Sequence, residues 1–295
     1  MIDGLRKIPV SVYRSTDEGA PQLTRQLGSL NVVLKACLVT GYGTNSPLGW
    51  ELAFEAENKS AFKSADPTSK QHYLYVDHSV QENNAHVSVK VNMTSLDSWE
   101  TQYGLGSEAQ YYDYWTAISR GNENTPWILI GHEKAFVLLF GSTDKRFASI
   151  CGGWIYFGDI PTYVQSFYDS VILVKSGSGS VYGFDNSSYG ISCFRAFFSS
   201  LEKEANLTTI YGSADKKWGL PLFNNDDQLA AVDIYLKTSR NLYGTLPGVL
   251  LCNLRMGKTL KDCTYPNMEN FIESAVGYGG TGDTLFFNKV AWDGI

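Results

Sequence analysis

At 295 residues, 43% hydrophobic and 14% aromatic, the chain can bury an ample core, yet only 18% of it is charged, below the roughly 25% usual for soluble domains. The net charge is -6, and Lys and Arg form no run longer than a pair such as Lys216-Lys217. Nothing is concentrated to displace counterions from phosphates, which argues against nucleic acid as a partner. The five cysteines (Cys37, Cys151, Cys193, Cys252, Cys263) show no CxxC spacing and mostly sit in apolar runs. Buried thiols are expected rather than a disulfide framework, and no histidine stands at ligand spacing from Cys151 for a zinc site.

The first residues, MIDGLRKIPVSVYRS, lack the apolar stretch of a secretory leader, and no run is long and apolar enough for a membrane-spanning helix. Neither a leader nor a membrane partner is expected, and the glycosylation-like triplets at Asn58, Asn92, Asn186 and Asn206 read as chance matches.

Ile8 to Arg14 alternates apolar and polar residues and predicts a strand, broken by Asp17-Glu18-Gly19-Ala20-Pro21. The stretch GSLNVVLKACLVTGYG, Gly28 to Gly43, predicts a helix capped by Ser29. Leu30, Val33, Leu34, Cys37 and Leu38 form its apolar face, Val32 and Val39 widen that face, and Gly41 sits just past its end. The Gly-Tyr-Gly lies at the helix C-terminus, where the dipole repels phosphate, so it reads as a stop signal and the helix as a core plug. Trp50 to Glu57, Ala61 to Lys63, His72 to Asp77 and Ala85 to Met93 predict strands of a locally built antiparallel sheet. Glu108 to Ile118 predicts a second helix, with Ser107 as cap and Tyr111, Tyr114, Trp115 and Ile118 on one side.

Pro126 to Phe140 predicts a hairpin turning at Gly131-His132-Glu133-Lys134. Ile150 to Phe157 predicts a strand ended by Gly158-Asp159-Ile160-Pro161, and Ser170 to Lys175 a short buried one before the loop-like Ser176 to Ser180. Ser192 to Leu201 fits strand or helix equally. Ala230 to Lys237, Gly248 to Leu254, Ser274 to Tyr278 and Thr284 to Ala291 predict further strands, the last two closing across Gly279 to Gly282. The fold class that follows is α+β, β-dominant: antiparallel sheets with a short buried N-terminal helix and one further helix. One β-rich domain, 1–295, is expected, and Ser119 to Thr125 is the best joint for a split into 1–120 and 121–295.

The chemistry-bearing motifs are sparse. His72, His78 and His86 lie on or between neighbouring strands, but their spacing permits a metal site without suggesting one. Gly257-Lys258-Thr259 copies the tail of a phosphate loop, but Cys252 stands where its first glycine belongs. Gly277, Gly279 and Gly282 spell a dinucleotide pattern that opens no helix. Asp159, Asp185, Asp226 and Asp227 offer carboxylate pairs, as any acidic chain does, and Trp154, Tyr156 and Trp218 offer rings for a sugar. No catalytic, cofactor-binding or metal-ligating residue is assigned on these grounds, and no cofactor is expected.

The opening GLRKIPVSVYRSTDEGAPQL, the helix GSLNVVLKACLVTGYG after it, and the later WIYFGDIP and GTLPGVLL together resemble a family of tailed-bacteriophage virion structural proteins. The likeness is close over about the first fifty residues and rests on short islands beyond them. The resemblance implies a non-enzymatic particle subunit, at the capsid surface, neck, or tail and baseplate, with copies of itself and neighbouring virion proteins as partners. It carries no catalytic motif. Low charge with many Tyr and Gly suits repeated, lightly polar interfaces. A second reading is a carbohydrate-binding module for host glycans on the particle, and a third is a hydrolase or depolymerase.

Overall fold

The computed structural model describes residues 6–69, 72–82, 84–90, 112–117, 124–141, 154–161, 171–176, 195–197, 208–210, 231–237, 242–252, 260–265, 267–275 and 284–293. The protein is β-dominant α+β, with antiparallel sheets and one helical stretch among these residues.

The expected first strand divides at Val10. Its first half, β1 (Lys7–Pro9), and its second, β2 (Ser11–Arg14), join different sheets. Helix α1 (Ser29–Lys35) follows and runs into a π-helical turn, Ala36–Thr40. Leu30, Val33, Leu34, Cys37 and Leu38 are all fully buried, as the helical spacing requires. Val32 is 56% exposed, so the helix is covered on its sheet side and open on Val32's. Ser29 does not cap: Gly28 precedes the helix with φ 80°, and the Ser29 hydroxyl donates instead to the Thr24 carbonyl at 2.7 Å. Gly41 ends the helix at φ 75°, a backbone setting that side chains resist, and its N–H closes the last wide turn onto the Ala36 carbonyl at 2.8 Å.

Strands β3 (Trp50–Ala56), β4 (Lys59–Ser64), β5 (Tyr73–Gln81), β6 (Asn84–Lys90) and β7 (Tyr112–Ala117) form a five-stranded antiparallel meander in chain order. β7 overturns the second helix, at least over its six residues, which pair with β6 from Val89↔Tyr112 to Asn84↔Ala117. Aromatic and β-branched residues suit a pleated surface, and with a neighbouring edge to pair with, that preference outweighs the helical stripe. Residues 107–111 and 118 lie outside the described residues.

The central sheet is built from β8 (Trp127–His132), β9 (Ala135–Phe140), β10 (Trp154–Asp159), β11 (Val171–Ser176) and β12 (Arg195–Phe197), with β2 added beside β8. The hairpin turn is shorter than expected: Gly131 and His132 stay paired, leaving Glu133-Lys134 as the turn. Gly158 likewise continues β10 rather than ending it. Every residue of β8, β9 and β10 is buried. Alternation assigns them to two cores. Trp127, Leu129, Phe136, Leu138, Phe140, Ile155 and Phe157 join the helix and the β3–β7 meander. Ile128, Ile130, Ala135, Val137, Leu139, Trp154 and Tyr156 face the other way. Burial on both sides explains why these strands read as unbroken apolar runs despite antiparallel pairing. Each large side chain so buried contributes about 1.5–3 kcal/mol.

The second core is closed by β13 (Thr208–Ile210), β14 (Ala231–Lys237), β15 (Leu242–Cys252), β16 (Lys261–Asp262), β17 (Phe271–Ala275) and β18 (Thr284–Asn288), in the order β13-β14-β15-β18-β17-β16. β15 starts well before Gly248 and carries Pro247 inside it. Leu246, Val249, Ile272, Leu285 and Phe287 pack against the central sheet. Finally β19 (Ala291–Asp293) returns to pair with β1, as a two-stranded ribbon with Ile8 opposite Trp292. Layers therefore stack as helix and meander, central sheet, and C-terminal sheet.

Candidate functional site

The turn after β2 and the segment after the helix fold onto one another. Asp17, in the turn after β2, accepts hydrogen bonds through one carboxylate oxygen from the Arg14 N–H (2.8 Å), the Tyr42 hydroxyl (2.8 Å) and the Asn45 amide (3.2 Å). Tyr42 and Asn45 exchange backbone bonds, and the Tyr13 hydroxyl donates to the Ser46 carbonyl at 2.6 Å. The Tyr42 ring stands edge-on to Trp127, with centroids 6.3 Å apart. Gly43 passes so close to the DEGAP turn that a Cβ on it would lie 2.3 Å from the Glu18 carbonyl oxygen. Thus the Gly-Tyr-Gly after the helix clasps the N-terminal turn. Its second glycine is set by close approach, not by a ligand.

Electrostatics here keep groups neutral. Burial and the bond to Asp17 push the Tyr42 phenol well up, and burial pushes Tyr13 up to about 12, so both remain hydroxyl donors. The Cys37 thiol is buried and pushed well up by desolvation and then by the Asp17 charge, the opposite of an activated nucleophile. Asn31 stitches α1 to the meander, donating to Ser60 Oγ (3.1 Å) and the Val76 carbonyl (3.0 Å).

The histidines are built into strands. Asp77 and His78 are neighbours on β5 and so face opposite sides. Asp77 accepts from the Ser79 N–H and lies 3.4 Å from the Lys59 ammonium, whereas His78 Nε2 lies 3.2 Å from the Glu82 carbonyl oxygen. His72 is buried just before β5, and His86 sits opposite Asp77 in the register. Among the described residues no group of three or more His, Cys, Asp or Glu is set to hold a metal ion. No described helix is long and apolar enough to cross a membrane.

Trp154 and Tyr156 lie in the second core, 2% and 0% exposed, and so form no sugar platform. Asp159 is buried at the end of β10, its N–H donating to the Lys134 carbonyl. Trp218, Asp185, Asp226, Asp227, Gly257 to Thr259, Gly277 to Gly282, Cys151 and Cys193 lie outside the described residues.

Two clusters escaped the sequence reading. Asp262 on β16 accepts from Arg14 of β2 at 2.9 Å and from Lys289, tying the edge of the central sheet to the C-terminal sheet. Burial would raise the Asp262 carboxyl, but the bonds from Lys289 and Arg14 outweigh it and hold it below the usual range. The other is His132, which reads as a turn residue in sequence yet is only 7% exposed. Only its burial, unseen in a lone turn motif, gives it away. No family model, curated protein or solved structure matches the chain.

Proposed function

We propose that the protein is a non-enzymatic structural subunit of a tailed-phage particle, working in repeated copies beside other virion proteins at the neck, tail and baseplate, or capsid surface. One observation carries the reading beyond the resemblance. Most aliphatic side chains among the described residues are buried, but Leu27, Val32 and Val80 stay 42%, 56% and 67% exposed, with Val290 exposed elsewhere on the terminal ribbon's turn. The backbone positions of Leu27, Val32 and Val80 lie near one another, because the Gly28 N–H bonds the His78 carbonyl and the Val32 N–H bonds the Gly28 carbonyl. Ion pairs flank these positions, Arg25 with Glu82 and Lys35 with Glu55. Such an apolar patch with a polar rim suits contact with a neighbouring copy of the chain. The clasp and the doubly buried central sheet would supply the rigid body that a repeating lattice needs.

Light scattering across a concentration series tests this. The wild-type chain is expected to form a discrete multi-copy species, and a Leu27→Ser, Val32→Ser, Val80→Ser variant to lose it while keeping its fold. Deleting the gene is expected to give defective or unstable particles. A chain that stays monomeric, together with normal infectious particles lacking it, would overturn the reading.

A further inference from the structure

Among the described residues, the terminal ribbon of β1 and β19 has only three residue pairs and no third strand. A ribbon that short is not stable alone. Beyond it the Val10 N–H bonds the Val290 carbonyl, and the main anchor is one side chain, Trp292, which is fully buried. Four contacts hold that indole. Its ring stacks on Tyr156 with centroids 5.5 Å apart and an interplanar angle of 17°. Its edge lies directly on Gly248, where a Cβ would fall 2.2 Å from the ring nitrogen. Its N–H donates to the Asn288 carbonyl at 2.8 Å. The fourth contact is the His132 ring, edge-on at 5.7 Å.

Of these contacts only His132 changes charge between neutral and mildly acidic pH. Its position favours the neutral ring. His132 Nδ1 accepts the Lys134 N–H at 3.2 Å, so a proton there would set two donors against each other. Its own carbonyl accepts the Trp50 indole N–H at 3.2 Å, which pins the residue to the first core as well. Among the described residues, charged groups nearby are few. Glu133 and Lys134 flank it in the turn, Asp66 lies 3.6 Å from the Lys134 ammonium, and the Asp159 N–H bonds the Lys134 carbonyl. Trp50 from β3, Trp292 from β19 and Tyr156 from β10 bring no charge in this range. Glu133 favours the imidazolium, but burial and Lys134 oppose it, and burial is the largest effect.

We propose that protonation of His132 is an acid-operated latch: it expels the ring from against Trp292 and frees the β1–β19 ribbon while the central sheet and the first core stay folded. The proposal does not depend on the particle reading.

Amide exchange of the full-length protein between pH 7 and pH 4, corrected for intrinsic rates, tests it. Amides of Val10 and Trp292 are expected to lose protection by more than about tenfold across that interval, while Leu138 and Phe157 keep theirs. His132→Gln, which retains an acceptor but cannot take up the proton, is expected to abolish the ribbon's pH dependence. Should that variant fail to fold, the ring nitrogens of His132 can be titrated by NMR in the wild type, where ring and ribbon are expected to share one midpoint. Ribbon protection that ignores pH, an unchanged pH dependence in the variant, different midpoints for ring and ribbon, or loss of core and ribbon together would each overturn the latch.

Discussion

The two faces of the central sheet are equally apolar but differ in how their polar ends are settled. On the face toward the helix, the Trp127 indole donates to the Pro21 carbonyl, Trp50 to the His132 carbonyl, and Tyr13 and Tyr42 donate to Ser46 and Asp17. Among the described residues, the Asn31 amide oxygen is buried without a partner on that side, whereas on the face toward the C-terminal sheet both the Trp154 indole N–H and the Tyr156 hydroxyl are buried with none. Each such orphan costs about 1–3 kcal/mol. The same burial is therefore worth less on the second face. The helix seam should be the last part to open, and the C-terminal seam with its ribbon the first.

Removing the largest plug from the weaker seam should do the most damage. Trp292→Ala leaves a cavity among Tyr156, His132 and Gly248 and unseats the ribbon; a loss of about 3–5 kcal/mol is expected in urea unfolding. An effect near zero would mean that the seam contributes little. Acid acts on the same place. Burial lowers His132 from 6.5 to about 4 in the folded protein. Between those values the unfolded chain binds more protons, so stability rises with pH across the window, falls as pH drops from 6.5 toward 4, and levels off below. The full effect is about 3 kcal/mol. Urea midpoints at a series of pH values, with His132→Gln as control, measure it.

Much of the stronger seam was legible in the sequence, and little of the weaker one. Leu30, Val33, Leu34, Cys37 and Leu38 repeat at helical spacing, and that local pattern is the whole instruction for the plug. Strands β8 to β10 announce themselves as apolar runs, although a run buried on both faces does not say which residue joins which core. The break at Val10 left no local mark, because β1 and β2 are separated by where β19 and β8 lie rather than by a turn residue. Tyr112–Ala117 misled for a related reason. Its aromatics satisfy a helical stripe and a pleated face alike, and only the neighbouring β6 decides. The clasp was half visible: its glycines and Asp17 stood out, but that they meet each other required the fold.

The clasp gives the next effect down. Asp17→Ala removes the acceptor shared by Arg14, Tyr42 and Asn45 and leaves the Tyr42 hydroxyl with only a long 3.4 Å contact to the Arg14 carbonyl. A loss of about 2 kcal/mol is expected in thermal or urea unfolding. If Asp17→Asn recovers most of it, geometry matters more than charge.

The smallest effect compares the faces most directly, because it makes one chemical change on each. Tyr42→Phe deletes a hydroxyl that donates to a carboxylate, and Tyr156→Phe deletes one with no acceptor among the described residues. The first should cost about 1.5–2 kcal/mol, since a bond to a charged group is lost. The second removes an unpaired buried dipole and keeps the ring on Trp292, so unfolding free energy should stay the same or rise by up to about 1 kcal/mol. Equal losses in the two variants would mean that the Tyr156 hydroxyl is satisfied after all, and the ranking of the seams would have to rest on the Trp154 indole N–H and His132.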